Sequence, residues 1–311
     1  MVELRAVRKV YDGRQKVVAV DNIDLTVNRG EMFGLLGPNG AGKTTTISLC
    51  TTRALPTAGE VFIGGIDAVK EPARARRYMG VVPQYRTLDR SCNVWENLYF
   101  HCRYYGFNHA AARQRSQELL EQFKLAERVK SFPGDLSGGL AQRLEIARAV
   151  SHRPEVLFLD EPTASLDPQT RLALWDIIRE LRQSGITIVL TTHNMDEADL
   201  LCERLAIIDH GKILVCDSPQ NLKSSVGAQT IFELRLKDSP ADVADRLRAL
   251  PGIAAVEPTA AGLRLRADGR RDGLLPLIVQ ASAGHHLRDV SVIEPSLETV
   301  FIALTGRELR E

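Results

Sequence analysis

The segment Gly37-Pro38-Asn39-Gly40-Ala41-Gly42-Lys43-Thr44 constrains this chain more than any other feature of its sequence. It fits the pattern G-x-x-x-x-G-K-[ST] and follows an apolar run, Met32 to Leu36, that predicts a buried strand. A strand that leads through a glycine-rich turn into a helix directs backbone N–H groups at one point, and such a point attracts phosphate. We therefore expect this loop to bind a nucleoside triphosphate, with Lys43 at the β- and γ-phosphates and the Thr44 hydroxyl in the Mg²⁺ shell.

A second anchor for the metal ion is predicted where the apolar run Val156 to Leu159 ends in Asp160 and Glu161. A carboxylate at the end of a buried strand suits Mg²⁺, so we expect Asp160 to hold the ion directly or through water. Glu161 follows by one residue and is placed to orient or deprotonate the attacking water. Together the loop and the acid pair predict nucleotide hydrolysis.

The segment Leu136-Ser137-Gly138-Gly139-Leu140 lies between these two anchors and opens a predicted helix. Small residues at a helix start form a second phosphate-binding N-terminus. The full run LSGGLAQRLEIARA resembles the signature motif of the ATP-binding-cassette ATPases, although Leu140 stands where glutamine is commonest. This resemblance covers about residues 2 to 220. It implies an α/β P-loop NTPase cassette with a mostly parallel sheet and a helical subdomain inserted at about 93–150.

Four further positions are assigned by this resemblance alone. Gln84 matches a glutamine that contacts Mg²⁺ and the water, and His193 matches a switch histidine that touches the γ-phosphate. Asp167 belongs to a loop that crosses the family's dimer interface, and Tyr11 lies where an aromatic ring stacks on adenine. The predicted catalytic residues are thus Glu161, His193, Gln84 and Lys43, and the metal ligands are Thr44, Gln84 and Asp160. The predicted ATP-binding residues are Tyr11, Gly37, Pro38, Asn39, Gly40, Ala41, Gly42, Lys43, Thr44, Thr45, Ser137, Gly138, Gly139 and Asp167.

Each motif is present once, and this has a consequence if the family geometry holds. In the family the signature residues face the phosphate loop of a second copy, so the resemblance implies two ATPase chains closing around two ATP molecules. We expect a homodimer, with a related ATPase as the alternative second chain. The family passes this motion to integral membrane permease subunits through a surface that corresponds to about Gln84 to Glu96. Arg86, Arg90 and Trp95 are candidate contacts on that surface.

Residues 229–311 predict a second, smaller unit after a cassette that spans residues 1–222. The pattern is strand, helix, strand, strand, helix, strand, helix, which predicts a small ferredoxin-like α+β sandwich. We place a helix cap at Ser239-Pro240, a turn about Ala260-Ala261-Gly262 and a last helix between Ser296 and Gly306. The segment Glu294 to Gly306 resembles the tail of the daunorubicin-resistance branch. Those ATPase subunits pair with separate six-helix permeases and export drugs, lipids or polysaccharides.

Composition sets limits on the partners. Forty basic and 39 acidic residues leave a formal charge of +1, which gives no bulk reason to bind nucleic acid. Five scattered cysteines favour reduced thiols in the cytosol, and no apolar run approaches the ~20 residues that span a bilayer. We expect a cytoplasmic protein that its permease holds at the inner face of the cell membrane.

Two other classes of protein are weighed against an exporter subunit. A soluble ABC ATPase that acts on the ribosome or nucleic acid normally carries tandem cassettes or a long coiled-coil insertion, and this sequence has neither. A P-loop kinase or GTPase lacks both the LSGG segment and the His193 switch.

Overall fold

The computed structural model describes residues 1–13, 16–225, 230–236, 241–259, 262–267, 273–283, 287–293 and 296–306. The chain divides into two compact units, Met1–Ser218 and a second unit that begins at Pro219. Each unit has its own hydrophobic core. Phe33, Phe158 and Ile208 belong to the first core, and Leu247 and Ile278 belong to the second.

The elements of the first unit alternate along the chain. Its strands are β1 (Val2–Tyr11), β2 (Val17–Val27), β3 (Met32–Leu36), β4 (Ala58–Ile63), β5 (Ile66–Asp67), β6 (Met79–Val82), β7 (Val156–Asp160), β8 (Thr187–Thr192), β9 (Arg204–Asp209) and β10 (Lys212–Asp217). Its helices are α1 (Lys43–Cys50), α2 (Pro72–Ala75), α3 (Val94–Tyr104), α4 (His109–Gln122), α5 (Gly138–Ala149), α6 (Pro168–Gln183) and α7 (Met195–Leu201). Short 3-10 turns occur at Arg76–Tyr78, Ala126–Arg128 and Pro133–Asp135.

A sheet with the strand order β10-β9-β3-β8-β7-β6 positions the site. Its neighbouring strands are parallel except β9 and β10. All residues of β3, β7 and β8 are buried, as expected for apolar strands covered on both faces. Because the parallel strands end at the same edge, the segments after β3, β6, β7 and β8 meet there. The predicted α/β fold class is confirmed.

A second sheet, with the order β2-β1-β4-β5, is antiparallel throughout. The apolar run Val17 to Val20 lies here, in β2, rather than in the parallel sheet. Val17 and Val18 are 56% and 41% exposed. One side of an antiparallel sheet commonly faces solvent, so an apolar run does not by itself distinguish the two kinds of strand.

Polar caps begin most of the helices that flank the sheet. Asn93 and Glu96 form a capping box at α3, and Asn108 caps α4. Three further caps lie in segments that the sequence assigns to the active site, namely Ser137 at α5, Asp167 at α6 and Asn194 at α7. Among the described residues, no helix has both the length and the apolar composition needed to cross a bilayer.

The second unit contains α8 (Pro219–Ser225), β11 (Thr230–Leu236), α9 (Ala241–Arg248), β12 (Ile253–Thr259), β13 (Gly262–Ala267), α10 (Leu274–Ala281), β14 (Leu287–Ile293) and α11 (Leu297–Thr305). Its antiparallel sheet has the order β12-β13-β11-β14, and the sequence of elements from β11 onward is the predicted ferredoxin-like one. Ser296 caps α11, and Gly306 ends it with a φ of 70°. The predicted cap at Ser239-Pro240 and the turn residues Ala260 and Ala261 lie outside the described residues.

Candidate active site

The glycine-rich loop joins β3 to α1 and is packed so closely that two of its glycines are required. A Cβ on Gly37 would overlap the carbonyl oxygen of Ile208. Gly42 precedes α1 with a φ of 110°, and a Cβ there would lie 2.5 Å from the carbonyl oxygen of Ala19. Both obstacles are backbone atoms, so a side-chain rearrangement relieves neither. The loop therefore presents its backbone amides at the start of α1 in a fixed shape.

Lys43, the first residue of α1, is buried with 4% of its side chain exposed. Its Nζ donates to the carbonyl oxygens of Gly37 and Pro38 at 2.7 Å and 3.1 Å and lies 3.1 Å from Oε1 of Glu161. Two loop carbonyl oxygens thus accept from the ammonium group, and the Glu161 carboxylate lies within ion-pair distance of it. The lysine is thus held at the centre of the loop by the loop itself and by the predicted base.

Asp160 ends β7 and is 2% exposed. Its Oδ1 accepts hydrogen bonds from the hydroxyls of Thr44, at 3.2 Å, and Thr191, at 2.6 Å. Burial raises the pKa of Asp160, and the two hydroxyl bonds and Lys43 offset part of that increase. The predicted pair of Thr44 and Asp160 is therefore in direct contact.

Glu161 is the point where the predicted catalytic residues meet. Its backbone is left-handed, with a φ of 50°, as the chain turns sharply out of β7. Its carboxylate forms an ion pair with Lys43 and accepts a hydrogen bond from Nε2 of Gln84 at 3.2 Å. Nδ1 of His193 lies 3.3 Å from Oε2 of Glu161, but the geometry is not that of a hydrogen bond. Residues that follow β3, β6, β7 and β8 thus converge on one carboxylate.

The donor atoms at this edge suit magnesium and phosphate. Mg²⁺ takes oxygen ligands and usually combines one or two carboxylates with substrate phosphates. Thr44 and Asp160 supply a hydroxyl and a carboxylate already in contact, and Gln84 supplies an amide nearby. In the described part of the chain, no group of three or more His, Cys, Asp or Glu side chains is arranged to hold a metal ion. The site therefore fits a hard cation that binds together with a nucleotide.

The other predicted ATP-binding residues lie outside this cluster. Ser137 caps α5, its hydroxyl accepts from the Leu140 amide at 3.4 Å, and α5 packs against α3, α6 and β6. Gly138 is exposed, whereas Gly139 is buried against Thr170 of α6. Within the described residues, no hydrogen bond joins Ser137, Gly138 or Gly139 to the phosphate loop.

Asp167 and Tyr11 are also exposed. Asp167 accepts from the Thr170 amide at 3.0 Å, and hydrogen bonding from the Thr170 side chain and then from this amide lowers the pKa of its carboxyl group. Tyr11 is 43% exposed at the end of β1, with the ammonium of Lys9 4.8 Å from its ring centre. Both side chains are accessible to a ligand or a second chain.

Sequence reasoning assigned no role to Thr191 or Glu197. Thr191 is the last residue but one of β8, is fully buried and bonds to the Asp160 carboxylate and to the backbone N–H of Glu161. Glu197 of α7 is 1% exposed, and its Oε1 accepts from Thr163 at 2.7 Å and from Trp175 Nε1 at 2.9 Å. A signal existed for each, namely a polar residue at the end of an apolar run and an acid on the buried face of a helix.

A further unpredicted cluster joins the segment after Gln84 to helix α5. Glu145 of α5 is 2% exposed and accepts from the amides of Thr87 and Leu88 at 2.6 Å and 3.1 Å. Arg148 donates to the carbonyl oxygen of Thr87 at 2.6 Å and also contacts Glu145 at 2.9 Å. The helix that begins with the LSGG segment is thereby tied to the segment that carries Gln84.

Comparison with known proteins gives consistent matches. Residues 20–164 match the family model described as ABC transporter, and residues 133–199 also match one described as an AAA domain, putative AbiEii toxin. The chain is 40% identical to the daunorubicin/doxorubicin resistance ATP-binding protein DrrA of Streptomyces peucetius, over 98% of this chain and 92% of that protein. It is 35% identical to the linearmycin resistance ATP-binding protein LnrL of Bacillus subtilis, over 100% of both chains.

A third relative and a solved structure extend these matches. The Nod factor export ATP-binding protein I of Cupriavidus pinatubonensis is 38% identical, over 100% of this chain and 92% of that one. Among solved structures, the dimeric post-hydrolysis state of the ATP-binding cassette MJ0796 bound to ADP and Pi superposes with a TM-score of 0.65 at 29% identity. It covers 70% of this chain and 98% of that one.

Proposed function

Because this chain belongs to the ABC transporter family of ATP-binding proteins, we propose that it drives an exporter of drugs, lipids or polysaccharides through a separate membrane permease. The chain is an ATPase of this family. The resistance and export functions named for its relatives support the direction of transport proposed here. The cargo class rests on these names and on the resemblance of the segment Glu294 to Gly306 to the daunorubicin-resistance branch, because we infer that the transport path lies in another polypeptide.

The observation that carries the proposal is the convergence of Lys43, Gln84 and His193 on the carboxylate of Glu161. We infer that Glu161 orients or deprotonates the attacking water and that Lys43 binds the phosphates. His193 is placed to follow the state of the γ-phosphate, because it already lies beside Glu161. Mg²⁺ held by Thr44, Asp160 and Gln84 would neutralise charge on the phosphate oxygens.

The exposed residues outside the cluster support a site shared between two chains. Ser137 and Gly138 present the N-terminus of α5 to solvent, and a helix N-terminus attracts phosphate. We propose that ATP lies between Gly37 to Thr45 of one chain and Ser137 to Gly139 of its partner. Asp167 would lie in the loop that crosses this interface, and Tyr11 would stack on the adenine. Two identical chains are the simplest assembly, and the dimeric cassette among the similar structures supports it.

Contact with the permease is proposed for the surface formed by Gln84 to Glu96. Arg86 and Arg90 are exposed on it, and Trp95 stacks on Tyr99 with ring centres 4.6 Å apart. The bonds of Glu145 and Arg148 to Thr87 give this surface a direct link to α5. We infer that the chain works at the cytoplasmic face of the membrane, where closure of the ATP sites moves this surface.

The first test is a Glu161→Gln variant of the purified chain. It should retain ATP binding, lose turnover by about 100-fold or more because the base is gone, and form a dimer with ATP on size exclusion. Glu203→Gln, which changes an exposed acid paired with Arg182, is the matched control and should behave as wild type. Lys43→Ala should remain monomeric with ATP because it lacks the phosphate contact. A Glu161→Gln variant that binds ATP but stays monomeric contradicts the shared site.

The second test separates the exporter from a soluble factor that acts on the ribosome or nucleic acid. An integral membrane protein that co-purifies with the chain, and whose cargo stimulates ATP hydrolysis, supports the exporter. Stable recovery with RNA or DNA contradicts it, and a formal charge of +1 gives no electrostatic reason to expect that result.

A further inference from the structure

We propose that Thr191 is a positioning residue that holds both acids of the hydrolysis site, an inference that rests on the proposed function. Thr191 lies on β8 directly beside Asp160 of β7 in the parallel register. It is fully buried, and the Thr191 hydroxyl is therefore available only to protein groups. Nothing in the sequence motifs assigns it a role.

The hydroxyl group of Thr191 forms hydrogen bonds with two residues that are adjacent in the sequence. Its Oγ1 donates its proton to Oδ1 of Asp160 at 2.6 Å and accepts the backbone N–H of Glu161 at 3.1 Å. A hydroxyl has one proton and two lone pairs, so it can make both bonds at once. The carbonyl oxygen of Thr191 accepts the same N–H at 3.1 Å. Thr191 thereby fixes the end of β7 at the residue that changes direction.

The backbone conformation of Glu161 is unfavourable for a residue that has a Cβ. Glu161 has a left-handed backbone with a φ of 50°, which a residue with a Cβ adopts only when its surroundings hold it there. The bonds from Thr191 act on the N–H of this residue and so aim its carboxylate at Lys43, Gln84 and His193. Loss of the hydroxyl removes one of the two acceptors for that N–H and leaves the turn less constrained.

The two hydroxyls on Asp160 have different surroundings. Thr44 is exposed and is itself a proposed metal ligand, so its hydroxyl has a second task. Thr191 is buried, and its bond to Asp160 is the shorter of the two. We infer that Thr191 keeps the carboxylate of Asp160 in place when Thr44 binds the metal, as outer hydrogen bonds commonly do for metal ligands.

The adjacent threonine has another function, which makes the assignment specific to Thr191. The Thr192 hydroxyl accepts from the Asn194 amide at 2.9 Å, and the Thr192 carbonyl accepts from Gly37 N at 3.3 Å. Thr187, at the start of the same strand, is equally buried, but its hydroxyl accepts from Gly30 N at 2.9 Å, away from the acids. Thr187 is therefore the matched control.

The test compares Thr191→Val, Thr191→Ser and Thr187→Val in steady-state hydrolysis at varied ATP and Mg²⁺. Thr191→Val keeps the shape and should lower kcat and raise the half-saturating Mg²⁺ concentration by about 10-fold or more, with KM for ATP nearly unchanged. Thr191→Ser restores the hydroxyl and should recover most of the lost kcat and most of the lost Mg²⁺ affinity. Thr187→Val should leave both parameters at wild-type values, and melting temperatures identify any loss of folding.

A second readout does not depend on turnover. In the Glu161→Gln background, Mn²⁺ bound with ATP is measured by electron paramagnetic resonance with and without Thr191→Val. Weaker Mn²⁺ binding with the added valine is expected. If Thr191→Val does not fold, Thr191→Ala is compared with Thr191→Ser in the same assays.

Two outcomes overturn the inference. One is a folded Thr191→Val chain with wild-type kcat and metal dependence. The other is a Thr191→Ser chain as impaired as the valine variant, which would assign the effect to packing of the methyl group. Failure of the proposed function looks different, because the wild-type chain itself would then lack Mg²⁺-dependent ATP hydrolysis.

Discussion

At the scale of single residues, two histidines outside the active site stay uncharged in the folded chain. Burial lowers the pKa of His101 to about 3 and that of His152 to about 4. Nδ1 of His101 bonds to the Ser151 hydroxyl at 2.9 Å, and the ring of Tyr105 stacks on His152 with ring centres 3.8 Å apart. Both histidines line a cavity of about 250 Å³ beside Arg53, Arg76 and Arg148. Protonation of either ring would place a further cation among those arginines.

These pKa values predict that acid destabilises the cassette. Below the ordinary histidine pKa of about 6.5 the unfolded chain binds protons that the folded chain does not, so stability falls as pH decreases toward 4. Each histidine should contribute on the order of 1 kcal/mol per pH unit in that window. Urea unfolding between pH 7.5 and pH 5 measures the slope.

A double variant, His101→Gln with His152→Gln, should flatten this pH dependence. His210→Gln, at a side chain that is 80% exposed, should not change it. An unchanged slope in the double variant would assign the acid sensitivity to other groups.

At the scale of helices and strands, Glu197 connects the segments on either side of the site. It lies on α7, just after His193, and accepts from Thr163, which follows Glu161, and from Trp175 of α6. The α7 helix therefore holds the turn after β7 through one buried carboxylate.

Removal of that acceptor should destabilise the cassette. Glu197→Ala leaves a buried hydroxyl and a buried indole N–H without their partner, and each such group costs about 1–3 kcal/mol. Glu197→Gln keeps an oxygen acceptor and should lose less, while Leu200→Ala, on the exposed face of the same helix, should lose little. Chemical denaturation of the three variants measures these differences, and equal losses for Ala and Gln would contradict the role of the acceptor.

Local patterns in the sequence were enough to predict most elements. The apolar runs of β3 and β7 and the helix starts at the LSGG segment and at Ser296 depend on neighbours in the chain, so they can be predicted directly. The contact of Glu161 with Lys43 could not be predicted in this way, because it joins residues far apart in sequence. The role of Thr191 could not be predicted either, because threonine near a strand end is an ordinary β-former until its cross-strand neighbour is known.

At the scale of the whole molecule, the predicted site and the second hydrophobic core belong to different units. Every predicted site residue, from Tyr11 to His193, lies in the unit that ends at Ser218. Among the described residues, the core of that unit includes Phe33 and Phe158, and the core of the second unit includes Phe232, Leu247 and Leu265. The cassette thus has the parts needed to fold and to bind nucleotide.

A chain that ends at Ser218 should accordingly unfold cooperatively and hydrolyse ATP at a rate similar to that of the full chain. The same truncation with Glu161→Gln is the control that assigns the measured rate to this site. Loss of regulation or of permease assembly is the expected defect. A folded truncated chain that no longer binds ATP in calorimetry would show that the second unit contributes to the site.

The fit of Gly37 and Gly42 against main-chain carbonyls also limits how this protein can diverge. Any larger residue at either position meets backbone from β9 or β2, so compensating side-chain mutations cannot restore the loop. Selection for tighter or looser ATP binding therefore has to act at positions other than these two glycines. We therefore expect these two glycines to stay unchanged while cargo and partners change, with adaptation occurring at surfaces whose side chains can be replaced without a clash with main chain.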